Sequence, residues 1–221
     1  MEKLYNKISI IGAGTWGIAI ANHLHLRTSV TITHYRESFL KKITATRSHP
    51  AFPGFLLPQD IKIHYNCNPE SDLYIIATPV QHIRDVLNKI KIPNKSPILI
   101  LSKGLEEKTL MFPLEIVKDA LNRNDEELAV LSGPSHAEQV IKKDPTSVVI
   151  SSSSEEIAKI LQKLFSNSYF RVYYNKDIIG VQLGGAVKNV IAIAAGILYG
   201  LGYRENTLSA LLTRGIYEIK K

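Results

Sequence analysis

The sequence contains one cysteine, Cys67, among 221 residues. A single cysteine excludes a disulfide within the chain and leaves no set of thiolates for a structural zinc or an iron–sulfur cluster. The seven histidines are scattered and form no pair at metal-ligand spacing, so we predict no metal site. A GxSxG nucleophile elbow and a Walker loop are also lacking, which argues against a hydrolase and a kinase.

Long hydrophobic runs are scarce as well. The longest, Val190 to Tyr203, contains three glycines and is shorter than a helix that spans a bilayer. Near the start of the sequence, the apolar run Ile8 to Ile11 is too short for the core of a signal peptide. We therefore expect no membrane span and a cytoplasmic location.

Basic residues exceed acidic residues by 27 to 20, which gives a formal net charge of +7. Such a balance favours anionic partners. The sequence lacks the long basic run and the interleaved aromatic residues that are typical of nucleic-acid binding. We therefore expect a small phosphorylated partner rather than a nucleic acid.

Short β-branched runs alternate with helix-like segments through about the first 175 residues. This alternation predicts an α/β fold with a mostly parallel sheet and crossover helices. The eight predicted strands are Lys7–Ile11, Val30–Thr33, Ile61–His64, Leu73–Ala77, Ile98–Leu101, Leu128–Leu131, Ser147–Ile150 and Tyr169–Tyr173.

Capping residues indicate where three of the intervening helices begin. Thr78-Pro79 places a cap residue before a proline at the first helical position. Ser135 with Glu138, and Ser153 with Glu156, match the capping box. We therefore expect helices to begin directly after these residues.

The pattern changes near residue 175. The segment Asp177 to Tyr203 is long, apolar and rich in alanine, which predicts a buried helix over Ile178–Leu198. Asn206 to Lys221 is amphipathic and predicts a second helix, capped by Asn206. We therefore divide the chain into an α/β domain, residues 1–175, and the start of an all-α domain, residues 176–221.

A GxGxxG motif follows the first strand and opens the predicted helix Thr15–Leu26. Gly12 permits a tight turn, Gly14 lets the backbone approach a pyrophosphate, and Gly17 allows the helix to pack closely on the strand. The alternative is a glycine-rich turn without a ligand, but the strand and helix around the motif favour a nucleotide site. The first domain is therefore predicted to be a Rossmann-type dinucleotide-binding domain.

The choice between NAD and NADP depends on the end of the second strand, where NAD enzymes carry an Asp or Glu for the ribose 2′-hydroxyl. The sequence there is Thr33-His34-Tyr35-Arg36. Arg36 could pair with a 2′-phosphate or stack on adenine, so we expect NADP to be at least tolerated. Two alternatives stay open, namely that Arg36 is a solvated arginine at a strand end and that Glu37 binds the ribose.

Several longer motifs resemble one family, the bacterial NAD(P)-dependent glycerol-3-phosphate dehydrogenases. The matching segments are GAGTWG at 12–17, FPGFLLP at 52–58, SKGLE at 102–106, LSGPSHAEQV at 131–140, IGVQLGGAVKNVIAIAAGI at 179–197 and LLTRG at 211–215. The resemblance implies an oxidoreductase that interconverts dihydroxyacetone phosphate and sn-glycerol 3-phosphate with NAD or NADP. It also implies a role in glycerophospholipid synthesis and a helical second domain that binds substrate.

The resemblance assigns catalysis to two lysines. Lys188 matches the catalytic lysine of the family, and desolvation inside its apolar helix beside another cation would make it a weaker base, suited to proton transfer. Lys103 follows the fifth strand and, by resemblance, contacts both cofactor and substrate. The alternatives are a Lys188 that snorkels at a helix surface and a Lys103 that is an ordinary loop lysine.

The remaining site residues are also carried over from the resemblance. Thr15, Trp16 and Ala137 would line the cofactor together with the glycines of the motif. Gly133 and Ser135 would contact the substrate, and Asn189 would orient the reacting oxygen. Trp16 could instead belong to the core, and the hydroxyl of Ser135 could instead cap the helix after it.

The sequence departs from the family pattern in its last part. Family chains continue beyond the position of Lys221, and that part supplies an aspartate near the reacting carbonyl and an Arg-Asn pair for the substrate phosphate. In addition, Tyr199, Arg204 and Leu208 replace residues that are usual in the family. We therefore expect a truncated family member. A non-catalytic nucleotide-binding remnant and a related hydroxy-acid reductase are the alternatives, and a homodimer is one option for its assembly.

Overall fold

One eight-stranded sheet organises the computed structural model, which describes residues 5–220. Its strand order is β3-β2-β1-β4-β5-β6-β7-β8, and every neighbouring pair is parallel except β6 and β7. The strands are β1 (Lys7–Ile11), β2 (Ser29–Thr33), β3 (Lys62–His64), β4 (Leu73–Ile76), β5 (Ile98–Ile100), β6 (Leu128–Ser132), β7 (Thr146–Ser152) and β8 (Phe170–Asn175). All eight predicted strands are present, with ends displaced by at most two residues.

In the described part of the chain, eight α-helices connect and follow the strands. They are α1 (Thr15–Leu24), α2 (Glu37–Thr46), α3 (Ile83–Leu87), α4 (Pro113–Leu121), α5 (Ala137–Ile141), α6 (Glu155–Phe165), α7 (Ile178–Gly200) and α8 (Glu205–Lys220), with short 3-10 turns at Val80–His82 and Asp125–Glu127. The predicted α/β fold followed by a helical segment is therefore confirmed.

The two faces of the sheet build two hydrophobic cores, because successive side chains of a strand point to opposite faces. On one face Ile8 and Ile10 of β1 belong to a cluster that includes Leu161 of α6. On the other face Ile11 belongs to a cluster that includes Val117 of α4. Strands β2 and β4 lie on opposite sides of β1 in the sheet. A crevice therefore opens at the carboxyl ends of these strands, where ligands of such sheets bind.

Two of the predicted helix caps are wrong because tertiary contacts occupy the capping side chains. The Thr78 hydroxyl donates to the Ile11 carbonyl at 3.0 Å, and a 3-10 turn follows Pro79 instead of a helix with that proline at its first position. Helix α5 begins at Ala137, and the Ser135 hydroxyl does not cap it, because it accepts from Lys103 Nζ at 3.2 Å and donates to the Gly133 carbonyl at 3.1 Å.

The third predicted cap is displaced by one residue. Ser154, not Ser153, caps α6, and its hydroxyl accepts the Ile157 N–H at 3.3 Å. Similarly, α8 begins at Glu205, so the predicted cap Asn206 lies inside its first turn. Lys221, the predicted last residue of that helix, lies outside the described residues.

Helix α7 has the predicted position but not the predicted burial. Within the described part of the chain, Gln182 is its only buried residue, and Val190, Ile193 and Ile197 are 58–68% exposed. Apolar composition predicts an affinity for burial, but the surface that would cover the helix depends on its neighbours. Here α7 contacts α8 and the ends of β6 and β7.

By length and composition alone, α7 could also cross a membrane. It is the one such helix among residues 5–220, and core helices of soluble proteins pass the same test. This observation is weak evidence for a span, and the absence of a membrane span stays a prediction.

Candidate functional site

The glycine-rich loop after β1 adopts a conformation that only glycine fits at two positions. Gly12 has φ +125°, and a Cβ atom there would lie 2.5 Å from the Ala77 carbonyl oxygen. A Cβ on Gly17 would lie 1.9 Å from the Gly12 carbonyl oxygen. The loop and the first turn of α1 are therefore packed backbone against backbone.

Gly14 has a different environment, because a Cβ there would meet no atom of the described residues within 4 Å. This residue is the N-cap of α1, and no side chain caps the free N–H groups of the first turn. Free N–H groups and the helix dipole attract an anion to such a helix start. The arrangement fits a pyrophosphate lying against the backbone.

A cleft of about 360 Å³ adjoins this loop at the carboxyl ends of β1, β2 and β4. Its lining combines backbone of the loop with aromatic and basic side chains from the two neighbouring strand ends. The lining residues include Gly12, Gly14, His34, Tyr35, Arg36, Phe39, Thr78, His82 and Lys89. These dimensions and this mixture of apolar rings and polar groups suit a nucleotide.

Aromatic rings form one wall of the cleft. His34 stacks on Tyr35 with ring centroids 4.7 Å apart and contacts Phe39 at 4.9 Å. The Arg36 N–H donates to His34 Nδ1 at 3.0 Å, while burial and the Arg36 charge lower the pKa of His34. This wall was not predicted from the sequence, although the aromatic residues directly after β2 are a signal that indicates it.

Arg36 itself is exposed, and its guanidinium lies 5.2 Å from the centre of the Tyr35 ring. Glu37, the other candidate from the sequence, forms an ion pair with Lys41 at 2.8 Å. Of the two, Arg36 lines the cleft and Glu37 does not. The geometry therefore favours Arg36 over Glu37 as the contact for the adenosine end of a dinucleotide.

Lys103 follows β5, whose carboxyl end lies next to that of β4 in the sheet. Its Nζ donates to the Gly133 carbonyl at 2.8 Å and to the Ser135 hydroxyl at 3.2 Å. Burial lowers the pKa of Lys103, and the positive charge of Lys188 lowers it further. Lys103, Gly133 and Ser135, each assigned to the substrate by resemblance, therefore lie together in the structure, with Lys188 close enough to act on Lys103 electrostatically.

Helix α7 approaches this cluster through a glycine. A Cβ on Gly185 would lie 2.8 Å from the Ser132 hydroxyl oxygen and 3.5 Å from Lys103 Cγ. Lys188 and Asn189 follow within one helical turn, and both are exposed. The expectation that Lys188 is desolvated inside an apolar helix is therefore wrong, because the other side of α7 is open.

The other predicted cofactor contacts lie on α1 and α5. Thr15 and Trp16 form the first turn of α1, and Trp16 packs against the core while its Nε1 has no hydrogen-bond partner among residues 5–220. Ala137 is the buried first residue of α5. Trp16 therefore has the core contacts of the alternative interpretation as well as its place beside the glycine loop.

The hydroxyl groups of Thr78 and Ser102 link the strand ends beside the cleft to the segment that carries Lys103. The Thr78 hydroxyl bonds the Ile11 carbonyl, and the Ser102 hydroxyl in turn donates to the Thr78 carbonyl at 2.5 Å. The glycine loop after β1 and the Lys103 segment after β5 are thus connected through Thr78. The cleft beside the glycine loop (the glycine cleft) and the group formed by Lys103, Gly133 and Ser135 (the Lys103–Ser135 cluster) form one continuous region at the carboxyl edge of the sheet.

Comparison with known proteins decides the family. Residues 7–158 match the model of the NAD-dependent glycerol-3-phosphate dehydrogenase N-terminus, and residues 177–221 match that of its C-terminus. The chain belongs to the NAD-dependent glycerol-3-phosphate dehydrogenase family. The resemblance drawn from the GPSHAE and GGAVKN motifs is confirmed.

Individual relatives agree with this assignment. The chain is 44% identical over 220 residues to glycerol-3-phosphate dehydrogenase [NAD(P)+] of Fusobacterium nucleatum. This alignment covers 96% of this chain and 66% of the relative. The crystal structure of glycerol-3-phosphate dehydrogenase from Coxiella burnetii superposes with a TM-score of 0.87 at 32% identity, covering 97% of this chain and 67% of that one. The chain thus spans about two thirds of the length of these relatives.

Proposed function

We propose that this chain carries the dinucleotide-binding part and the catalytic lysines of an oxidoreductase that interconverts dihydroxyacetone phosphate and sn-glycerol 3-phosphate with NAD or NADP. One observation carries the proposal: the Lys103–Ser135 cluster lies at the same sheet edge as the glycine cleft, with Lys188 beside it. The relatives, named glycerol-3-phosphate dehydrogenase [NAD(P)+], support this substrate pair and cofactor. Supply of glycerophospholipid precursors and a cytoplasmic location belong to the same proposal.

The cofactor is assigned to the cleft. Gly12, Gly14 and Gly17 would hold the pyrophosphate against α1, and Arg36 the adenosine end. Thr15, Trp16, Lys103 and Ala137 complete the proposed cofactor contacts. When bound there, NAD(P)H supplies the hydride.

The substrate is assigned to the lysine cluster. The positive charges of Lys103 and Lys188 stabilise negative charge that develops on the carbonyl oxygen. Lys188, being exposed on α7, can donate a proton to that oxygen and regain one from solvent. Gly133, Ser135 and Asn189 are the proposed contacts that fix the orientation of the substrate.

Absorbance at 340 nm tests this function directly, with NADPH, dihydroxyacetone phosphate and the 221-residue chain. We expect slow oxidation that depends on the substrate and falls by about a hundredfold or more in Lys188→Ala, because the proton donor is lost. Lys159→Ala removes another exposed lysine, on α6, and should leave the rate unchanged. Equal rates in the Lys188→Ala and unchanged chains would refute the assigned role.

One observation favours the second candidate, a nucleotide-binding protein without turnover. Lys188 and Asn189 lie on the open side of α7, where water is not excluded from a reacting carbonyl. Saturable NADPH binding without oxidation by any small keto acid or keto phosphate would support this candidate.

Arg36 gives a separate prediction on cofactor choice. Arg36→Ala should weaken NADPH binding by on the order of 1–3 kcal/mol, the scale of a charge-assisted contact, and leave NADH binding nearly unchanged. Arg171 also lies 5.2 Å over a tyrosine ring but does not line the cleft, so Arg171→Ala is the matched control. Equal losses for both cofactors, measured by calorimetry, would show that Arg36 does not contact the 2′-phosphate.

A further inference from the structure

The segment that carries Lys103 is hydrogen-bonded to Gln81, in the 3-10 turn Val80–His82 beside the nucleotide cleft. Gln81 bonds this segment with both ends of its amide: its Nε2 donates to the Leu105 carbonyl at 2.8 Å, and its Oε1 accepts the Glu107 N–H at 3.0 Å. Both bonds are to backbone atoms, within four residues of Lys103. Gln81 itself is exposed and lies next to His82, which lines the cleft.

A partly buried ion pair makes a second attachment one helical turn further on. The Arg84 Nε and Nη2 donate to the two carboxylate oxygens of Glu106 at 3.2 and 3.1 Å, and the Thr109 hydroxyl donates to the same carboxylate at 2.6 Å. Arg84 and Thr109 lower the pKa of Glu106, in keeping with an ionised carboxylate. Arg84 also pairs with Asp119 on α4, a contact that does not involve the Lys103 segment.

The other side of Lys103 is fixed by backbone geometry. Ser102 bonds the Thr78 carbonyl, and Gly104 has φ +105° with a Cβ position 3.4 Å from Val80 Cγ1. The backbone therefore bends at Gly104, directly after Lys103, and Gln81 and Arg84 hold the residues that follow. This arrangement directs the Lys103 side chain toward β6, where its Nζ meets Gly133 and Ser135.

We propose that Gln81 and Arg84 are positioning residues, which hold the 102–107 segment so that the Lys103 ammonium stays against Gly133 and Ser135. The inference rests on the proposed function only for what Lys103 does in the reaction, since its placement is a property of the free chain. It extends the site to two residues that touch neither the cleft nor the lysine.

The alternative is that these contacts merely stabilise the fold. The two roles differ in what happens to Lys103 in a variant that is still folded. If the segment loosens, the Lys103 side chain gains solvent and leaves its partners, and its lowered pKa rises toward the ordinary value for lysine. A purely structural contact would change the melting temperature and leave the titration of Lys103 unchanged.

Competitive acetylation over a range of pH, read by mass spectrometry on Lys103 and on exposed Lys62 as reference, measures this titration without cofactor or substrate. In Gln81→Ala and Glu106→Gln we expect the Lys103 midpoint to rise by about half a pH unit or more, because burial that lowers the pKa is lost. Asp119→Asn, which breaks only the outer contact of Arg84, should leave the midpoint in place.

An unchanged midpoint in folded Gln81→Ala protein would overturn the inference. Gln81 is exposed and both of its side-chain bonds are to the Lys103 segment, so this variant is expected to fold even if Glu106→Gln does not. If the Lys103 midpoint shifts in Gln81→Ala but the unchanged chain shows no turnover, the proposed function is refuted and the positioning role is retained. The two failures are therefore distinguishable.

Discussion

Gly17→Ala is expected to destabilise the chain by roughly 3 kcal/mol and to abolish nucleotide binding. Its new Cβ would lie 1.9 Å from the Gly12 carbonyl oxygen and 3.4 Å from Ala77 Cβ, so the glycine loop and α1 must separate. Overpacking of this kind costs about 1–3 kcal/mol, and here the clashing atom is backbone, which cannot rotate away. Urea unfolding measures the loss of stability, and NADPH titration measures the loss of binding.

Gly14→Ala is the matched control within the same motif. A Cβ at Gly14 meets nothing within 4 Å, so the free energy of unfolding should change by less than about 0.5 kcal/mol. Cofactor binding should nevertheless weaken, because the methyl group would lie where the pyrophosphate approaches the α1 N–H groups. Equal stability of Gly17→Ala and the unchanged chain would contradict the described packing of the loop.

Acidification is expected to destabilise the fold through His23. This side chain of α1 is buried, with its Nε2 at 2.7 Å from the Phe165 carbonyl and its Nδ1 at 3.1 Å from the Tyr169 hydroxyl. Burial lowers its pKa to about 4, so the folded chain holds it neutral where the unfolded chain protonates it. The stability is fully present above about pH 6.5 and declines by roughly 3 kcal/mol as the pH falls to 4.

His23→Leu isolates this contribution. The variant loses the two hydrogen bonds and is expected to be less stable at pH 7, but its free energy of unfolding should fall less between pH 7 and pH 4. His64→Gln, at an exposed strand end, should show the full pH dependence of the unchanged chain. Identical pH profiles for His23→Leu and the unchanged chain would show that His23 does not titrate as described.

Much of the fold could be predicted because local pattern and tertiary structure agree in the sheet. The β-branched runs form buried parallel strands, and the glycines at positions 12 and 17 occupy the tight places that their spacing indicates. Arg36, which the sequence places after the second strand, lines the cleft. These features depend on residues close together in sequence or on the order of the strands.

The features that could not be predicted depend on contacts between distant segments. Ser135 matches a capping box, but Lys103, 32 residues earlier, occupies its hydroxyl instead. Helix α7 has the composition of a buried helix, and its exposure depends on which elements lie against it. The clamp of Gln81 on the Lys103 segment joins residues 24 and 26 positions apart, which no local pattern indicates.

The central claim is that the cleft beside the glycine loop holds a dinucleotide, and titration of the chain with NADPH tests it most directly. Trp16, the single tryptophan, lies in the first turn of α1 and reports on the site by fluorescence. We expect saturable quenching that Gly14→Asp abolishes, because a carboxylate there would repel the pyrophosphate from the helix start. Absence of binding by both NADPH and NADH at about millimolar concentration, where even a free energy of only about −4 kcal/mol would be detected, would contradict the claim.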